Sequence, residues 1–206
     1  VVELGQNIQT KVAAAQAGDV VIVREATFNS QTVDVNKSIR LVREKGTTVT
    51  IGGTITLRDI NATGVLRDFV VNATGGGKII VQNCSNYGLE NLTGLPQGII
   101  ISGSKVVLRN CVSTSVLTIS GASEVEVVNC SFSSTVTVSG SSNFHAHNSS
   151  FGNLTTTDSN VTMVDSNAST TNVTGGKARF HRSKFGNVTF NRCDWEAHDS
   201  WFTGHL

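Results

Sequence analysis

The stretch Val125-Glu126-Val127-Val128-Asn129-Cys130-Ser131-Phe132 decides the fold class, because its pattern returns along the chain. Apolar and polar residues alternate, and an Asn, a small residue and an aromatic residue follow. Strict alternation of this kind predicts a β-strand with one buried face, closed by a turn. The pattern recurs at 55–59, 79–84, 106–111, 144–151, 161–168, 178–185 and 195–202.

The Asn or Asp of each copy marks the length of the repeat. This position is occupied by Asp59, Asn83, Asn110, Asn129, Asn148, Asp165, Arg182 and Asp199, so that one copy has Arg in place of Asn or Asp. The spacings are 24, 27, 19, 19, 17, 17 and 17 residues. A second alternating strand follows most copies: Ile99/Ile101, Leu117/Ile119, Val136/Val138, Leu154/Thr156 and Val188/Phe190. Two strands in so short a repeat indicate a solenoid. We therefore predict an all-β, single-stranded right-handed parallel β-helix of about eight or nine short coils, forming a single domain over residues 1–206.

Stacked coils place each residue about 4.8 Å from its counterpart in the next coil. We expect Val125, Val127, Phe132, Val136 and Val138 to point inward, and Glu124, Glu126, Thr135 and Thr137 to point outward. The repeat predicts one inward column of Phe132, Phe151, Ala168, Phe185 and Phe202, and a turn column of Cys84, Cys111 and Cys130 continued by Ser149, Ser166, Ser183 and Ser200. An Asn at each turn can bond local backbone groups and the Asn of the next coil.

The N-terminal residues have a different pattern. Residues 7–18 place apolar side chains at helical spacing, with Asn7 as the expected N-cap and Gly18 as the stop. We predict that residues 1–18 form a helical cap over the first coil, because an open solenoid edge invites aggregation. The coils then occupy residues 19–206.

Two sets of motifs resemble the pectin-lyase-like superfamily of right-handed β-helix proteins. The opening run from Ile8 to Leu41, with Ala17-Gly18-Asp19-Val20-Val21 and Asn36-Lys37-Ser38-Ile39, resembles the start of those proteins, and the Asn-Cys-Ser-Phe turns resemble their coils. The resemblance covers nearly the whole chain and implies the fold. It leaves the activity open, because the superfamily includes lyases, hydrolases, epimerases, adhesins, phage spikes and surface proteins.

Composition excludes several classes of function. The formal net charge is +1 and charged residues make up 15% of the chain, whereas a nucleic-acid-binding protein needs a basic face. No apolar stretch approaches the roughly 20 residues of a membrane span. The cysteines show no C-x-x-C spacing, and we predict no metal, no cofactor and no catalytic residue.

Charged residues concentrate near the C-terminus. Lys177, Arg179 and His181 are expected to lie over Asp194, Glu196 and His198, and Arg182 between Asp165 and Asp199. Alternating signs favour a stabilising ladder. The fallback site for a polysaccharide consists of Lys177, Arg179, His181, Asp194, Glu196 and His198. A transition-metal site of His145, His147, His181 and His198 is the alternative, although Val164 interrupts that column.

The opposite strand face is rich in Thr and Asn. Outward pairs occur at Thr135/Thr137, Thr155/Thr157, Asn172/Thr174 and Asn187/Thr189. This array resembles that of ice-binding β-helices, but only two pairs consist of Thr alone and Val116 and Ile100 interrupt the ladder, so a solvated face is favoured. Asn153, Asn172 and Asn187 stand in Asn-x-Thr triplets and are candidates for glycosylation, which would place the protein at the surface of a cell.

Three functions follow from these observations. The favoured one is an extracellular structural or cell-surface β-helix protein, such as a sheath, filament, fibre or adhesin component, that associates with itself. Trp195, Trp201 and Phe202 in the last coil are the expected assembly residues, because no capping helix follows them in the sequence; either a missing segment or another subunit must cover this coil. The alternatives are a protein that binds or cleaves a polysaccharide, and an ice-binding protein.

Overall fold

The computed structural model describes residues 1–3, 5–24, 26–29, 31–72 and 76–204. It confirms a parallel β-solenoid with one short N-terminal helix, α1 (Ile8–Ala14). Nine coils follow one another without interruption, and a tenth begins after them. No helix in the described part is long and apolar enough to cross a membrane.

The first five coils each contain three short strands. These are β1 (Val20–Val23), β2 (Ala26–Phe28), β3 (Val33–Val35), β4 (Arg40–Arg43), β5 (Val49–Ile51), β6 (Ile55–Arg58), β7 (Gly64–Arg67), β8 (Val70–Val71), β9 (Ile79–Gln82), β10 (Tyr87–Glu90), β11 (Thr93–Gly94), β12 (Ile99–Ser102), β13 (Lys105–Arg109), β14 (Val112–Ser113) and β15 (Leu117–Ser120).

The later coils are shorter, because their second and third strands merge into one. The remaining strands are β16 (Glu124–Val128), β17 (Ser131–Val138), β18 (Asn143–His147), β19 (Ser150–Thr157), β20 (Asn160–Val164), β21 (Asn167–Thr174), β22 (Lys177–His181), β23 (Lys184–Asn191), β24 (Asp194–His198) and β25 (Trp201–Phe202).

Three parallel sheets run along the solenoid. Sheet A contains the first strand of every coil, from β1 to β24. Sheet B contains only β2, β5, β8 and β11. Sheet C runs from β3 to β25 and includes all the merged strands.

The repeat template was wrong at its N-terminal end. Residues 55–59 and 79–84 were aligned with sheet A strands, but β6 and β9 lie in sheet C. Strands of both sheets alternate in the same way and end in a polar turn residue, so the pattern does not distinguish them. The missed sheet A strands are β7 and β10, whose Gly64 and Gly88 obscure the alternation. The segment from Tyr87 to Gln97 thus contains β10 and β11.

Gly64, in the third coil, leaves space for a large side chain of the fourth coil. A β-carbon at Gly64 would lie 2.2 Å from the Tyr87 ring, so only glycine leaves room for this fully buried side chain. The Tyr87 hydroxyl donates a hydrogen bond to the Ile39 carbonyl at 3.4 Å. Burial raises the pKa of Tyr87, which keeps the phenol neutral.

The predicted interior is confirmed. Val125, Val127, Phe132, Val136 and Val138 are fully buried, whereas the predicted outward residues Glu124, Glu126, Thr135 and Thr137 are exposed or half-buried. The Phe column is confirmed in register as Phe132, Phe151, Ala168, Phe185 and Phe202.

The helical cap is confirmed as well. Asn7 is the N-cap, as predicted, and accepts a hydrogen bond from the backbone N–H of Thr10 at 3.2 Å. The predicted stop at Gly18 was wrong, because the helix ends at Ala14 with Ala15 as its C-cap; Gly18, with a φ of 93°, lies in the turn that follows. The side chain of Gln9 forms two hydrogen bonds, of 2.6 and 3.2 Å, with the backbone of Asp34 at the edge of β3. Val2 pairs with Val23 at the edge of sheet A. Side-chain and backbone groups thus occupy the edges that the first coil would otherwise leave open.

Removing one ring from the Phe column should destabilise the solenoid. Phe151 is stacked on Phe132 at 6.3 Å between ring centroids and packs edge-on against Phe144 at 5.6 Å. We expect Phe151→Ala to lower the free energy of unfolding by about 3–5 kcal/mol in a urea titration, because it leaves a cavity. Thr162→Ala, on the outer side of sheet A, should change it by less than about 0.5 kcal/mol. Equal effects of the two substitutions would contradict this packing.

Candidate functional site

A row of turn residues follows the sheet A strands, and we call it the amide ladder. Every member has a positive φ, between 45° and 69°. Asn and Asp tolerate this left-handed conformation better than most residues do, because their short polar side chains bond locally. The members are Asp68, Asn91, Asn110, Asn129, Asn148, Asp165, Arg182 and Asp199.

Side chains of the amide ladder bond from coil to coil. Asn91 donates to Asp68 at 2.7 Å, and Asn110 donates to Asn91 at 3.0 Å. Asn148 donates to Asn129 at 2.8 Å. The predicted structural role of the turn Asn residues is therefore confirmed.

Arg182 lies in the ladder between Asp165 and Asp199, as predicted. Its guanidinium donates two hydrogen bonds to the Asp165 carboxylate, at 2.7 and 2.8 Å. The hydrogen bond and the charge of Arg182 lower the pKa of Asp165. The ion pair is therefore complete above the usual Asp pKa and is lost only as the pH falls through the lowered value.

Two positions of the predicted ladder were wrong. Asp59 and Asn83 lie in a second row of left-handed turn residues, which follows the sheet C strands. Asn83 donates to Asp59 at 3.0 Å within that row. The row continues with Gly103, Gly121, Gly140, Asp158, Gly175 and Arg192.

Asn129 offers a direct test of the amide ladder. Asn129→Gly keeps the left-handed turn accessible but loses the hydrogen bond, so we expect a loss of about 1 kcal/mol of unfolding free energy. Asn129→Val should cost a further 1–2 kcal/mol or so, because a β-branched residue is strained at this φ of 54°. Chemical denaturation measures both variants, and a valine variant as stable as the glycine variant would contradict the backbone argument.

The cysteines belong to two ladders rather than one. The backbone N–H of Cys111 donates to the Cys130 sulfur at 3.2 Å, and the row continues through Ser149, Ser166, Ser183 and Ser200 as predicted. Cys84 was wrongly placed in this row, since its N–H donates to Ser104 Oγ at 3.0 Å in a second row. All four thiols are free.

Two of the buried thiols, those of Cys84 and Cys111, are poor nucleophiles. The hydrogen bond between Cys111 and Cys130, together with burial, raises the pKa of Cys111. Burial also raises the pKa of Cys84. Because the thiolate is the reactive form, both residues act as packed structural groups.

An open polar groove follows the turns between sheets A and C. Its larger part, about 680 Å³, is lined by Asp165, Asn167, Arg182, Lys184 and Thr203 among others. A second part of about 270 Å³ shares Asp165 and Asn167 with it and extends past Asn129 and Asn148. The amide ladder forms one wall, and the column Val112, Ser131, Ser150, Asn167, Lys184 and Trp201 forms the other.

The fallback polysaccharide site is assembled in the predicted register. Lys177, Arg179 and His181 lie beside Asp194, Glu196 and His198 respectively. Arg179 donates to Glu196 at 2.6 Å, and the two His rings stack at 5.1 Å between centroids. The cavity against these strands measures only about 20 Å³, too small for a sugar ring. The charges are therefore placed to pair across the two strands rather than to line an enclosed ligand site.

The four-histidine metal alternative is not assembled. Val164 separates His147 from His181 in the sheet, as the sequence indicated. Across the described residues, no three His, Cys, Asp or Glu side chains are placed to hold a metal ion.

Sheet C carries an outward surface that we call the hydroxyl–amide face. A bulge between Phe132 and Thr135 sets its register and places Thr135 beside Asn153 and Thr137 beside Thr155. The face comprises Thr118, Ser120, Thr135, Thr137, Asn153, Thr155, Thr157, Thr170, Asn172, Thr174, Asn187, Thr189 and Asn191.

The three glycosylation candidates, Asn153, Asn172 and Asn187, lie on this face, and all are exposed. Glycosylation itself stays a prediction of the sequence. Asn187 also approaches the backbone of Gly204, whose added β-carbon would lie 2.0 Å from its side-chain oxygen.

The tenth coil presents aromatic side chains at the C-terminal end of the described part. Trp195 occupies an inward position beside Ala178 and stacks on Phe190 at 4.5 Å between centroids, yet 46% of it is exposed. Phe202 stacks on Phe185 at 5.5 Å, and Trp201 points outward with 62% exposure. The three assembly candidates thus surround one end of the interior.

Comparison with protein-family models, with curated proteins and with solved structures finds no match to this chain. The parallel β-solenoid stands on the structure itself, and the pectin-lyase-like resemblance stays a hypothesis.

Proposed function

We propose that this protein is an extracellular structural or cell-surface β-solenoid, of the sheath, filament, fibre or adhesin kind, whose copies associate with one another. The observation that carries the proposal is the aromatic end formed by Trp195, Phe202 and Trp201 on the tenth coil. The Asn-x-Thr triplets at exposed positions support an extracellular setting.

A structural role fits the use of polar side chains along the rod. The amide ladder, the Ser rows and the ion pairs bind coil to coil, as in the two hydrogen bonds from Arg182 to Asp165. Each such contact resists bending or slipping of adjacent coils. A rod of this kind transmits force and holds its length, which are properties that a fibre or sheath subunit needs.

Association through the tenth coil follows from the contrast between the two ends of the solenoid. At the N-terminal end, Val2 and Gln9 already occupy the strand edges. Strands β24 and β25 have no further neighbour among the described strands, and the inward side chain of Trp195 is half exposed there. In our proposal a second copy covers this end, because exposed apolar groups and open strand edges both favour association.

Replacing the outward tryptophan tests this contact. We expect Trp201→Asp to weaken self-association by about 2 kcal/mol, or roughly thirtyfold in Kd, in sedimentation velocity over a range of concentrations. The matched control is Val112→Asp, since Val112 is an exposed apolar residue of the same column, 49% exposed, in the fifth coil. A wild-type chain that stays monomeric at high concentration, or equal losses in both variants, would contradict the proposal.

Carbohydrate binding along the polar groove is the second candidate. Amides, hydroxyls, Arg182 and Lys184 line about 680 Å³ beside the turns, and Trp201 lies in the column of the outer wall. These groups suit the hydroxyls and rings of sugars. The pectin-lyase-like resemblance supports this candidate too.

Cleavage of the carbohydrate is not part of this second candidate. Arg179, the basic residue nearest to the acids of β24, is bound to Glu196 at 2.6 Å. We expect no unsaturated product, measured by ultraviolet absorbance, when the protein is incubated with polyuronates and Ca²⁺. Turnover that disappears in both Arg179→Ala and Asp194→Ala would promote the enzyme hypothesis over the structural one.

A further inference from the structure

The hydroxyl–amide face carries no charged side chain at any of its outward positions, from Thr118 to Asn191. Sheet A of the same coils differs sharply. Its outward residues include Lys105, Glu124, Glu126, Lys177, Arg179, Asp194 and Glu196. One side of the rod is therefore charged, and the other offers neutral hydroxyl and amide groups, with the exposed apolar Val116 beside Thr135 at the N-terminal border of the face.

The neutral groups form a regular lattice. From β17 to β23 the face runs in one-to-one register, as in the column Thr137, Thr155, Asn172 and Thr189. Adjacent coils repeat at about 4.8 Å, and outward residues along a strand repeat at about 6.6 Å. The bulge after Phe132 sets the register of Thr135 and Thr137 within this lattice.

The hydroxyls of this lattice are available to a ligand. Elsewhere the serines are bound internally, for example Ser149 and Ser166, whose hydroxyls accept backbone N–H groups at 3.1 Å. By contrast, the side chains of Thr137, Thr155 and Thr189 make no hydrogen bond to any described part of the protein. These groups therefore bond to whatever lies outside the face.

We propose that the hydroxyl–amide face binds the surface of ice. Ice offers an uncharged, periodic array of hydrogen-bond donors and acceptors, with repeats comparable to those of the face. A crystalline polysaccharide is the less suitable partner, because it calls for exposed aromatic rings, and the aromatic side chains of the strands that build the face, such as Phe132, Phe151 and Phe185, point inward. The proposal does not rest on self-association through the tenth coil, and it is an alternative to glycosylation of Asn153, Asn172 and Asn187, because a glycan on these residues would cover the lattice.

A lysine in the middle of the face provides the test. The unglycosylated chain is assayed for inhibition of ice recrystallisation and for thermal hysteresis. We expect wild-type protein to be active. Thr155→Lys should need at least roughly tenfold more protein for the same inhibition, because the lysine side chain would separate the lattice from the ice and its charge would lose its hydration. The matched control, Thr162→Lys, places the same change on the outer side of sheet A and should keep full activity. Circular dichroism shows that both variants fold.

Several outcomes would overturn the inference. One is a wild-type chain with no effect on ice. Another is an equal loss in Thr155→Lys and Thr162→Lys. Binding to crystalline cellulose or chitin without any effect on ice would assign the face to a polysaccharide, and a change in sedimentation in Thr155→Lys alone would assign it to a second copy. Glycans found by mass spectrometry on Asn153 or Asn172 of the natural protein would cover the lattice and exclude ice as its ligand.

Discussion

Backbone hydrogen bonding between in-register parallel coils determines which side chains can contact each other in this molecule. It fixes adjacent coils about 4.8 Å apart, so every side chain has a near neighbour above and below. A like charge directly opposite another is unfavourable, whereas opposite charges, amides and packed rings are favourable. The Arg179–Glu196 pair, the Asn148–Asn129 bond and the stacked Phe132 and Phe151 rings all satisfy this one requirement.

Turns impose the second constraint, because each coil must change direction at a left-handed residue. Asn and Asp meet this demand with little strain, and the stacking of coils then brings their amides within bonding distance. A local backbone requirement thus produces a long-range ladder. Arg182 shows how the ladder tolerates an exception, since two hydrogen bonds to Asp165 hold it at a φ of 45°.

Sequence periodicity predicted the parallel solenoid, the inward Phe column and the N-terminal cap, because each depends on local alternation or local capping. It did not separate sheet A from sheet C in the first coils. Strands β6 and β9 carry the same alternation as the sheet A strands, and glycines obscure β7 and β10. The bulge in β17 was invisible too, because one extra residue changes the register without changing composition. Cys84, Asp59 and Asn83 were assigned to the wrong rows because the two sheets were not separated.

The polar groups that hold the coils together lie on sheet A and at the turns, whereas those that a ligand could bind lie on the hydroxyl–amide face. On sheet A and at the turns, several charges and amides bind one another, such as Arg179 with Glu196 and Asn148 with Asn129, so a ligand would have to displace an existing partner there. On the hydroxyl–amide face, the side chains of Thr137 and Thr155 make no bond within the described protein. A solenoid that needed only rigidity could carry charge pairs on both faces, as it does on sheet A. The neutral lattice is therefore the surface on which a ligand gains most, and the bonded ladders are the frame that keeps its spacing fixed.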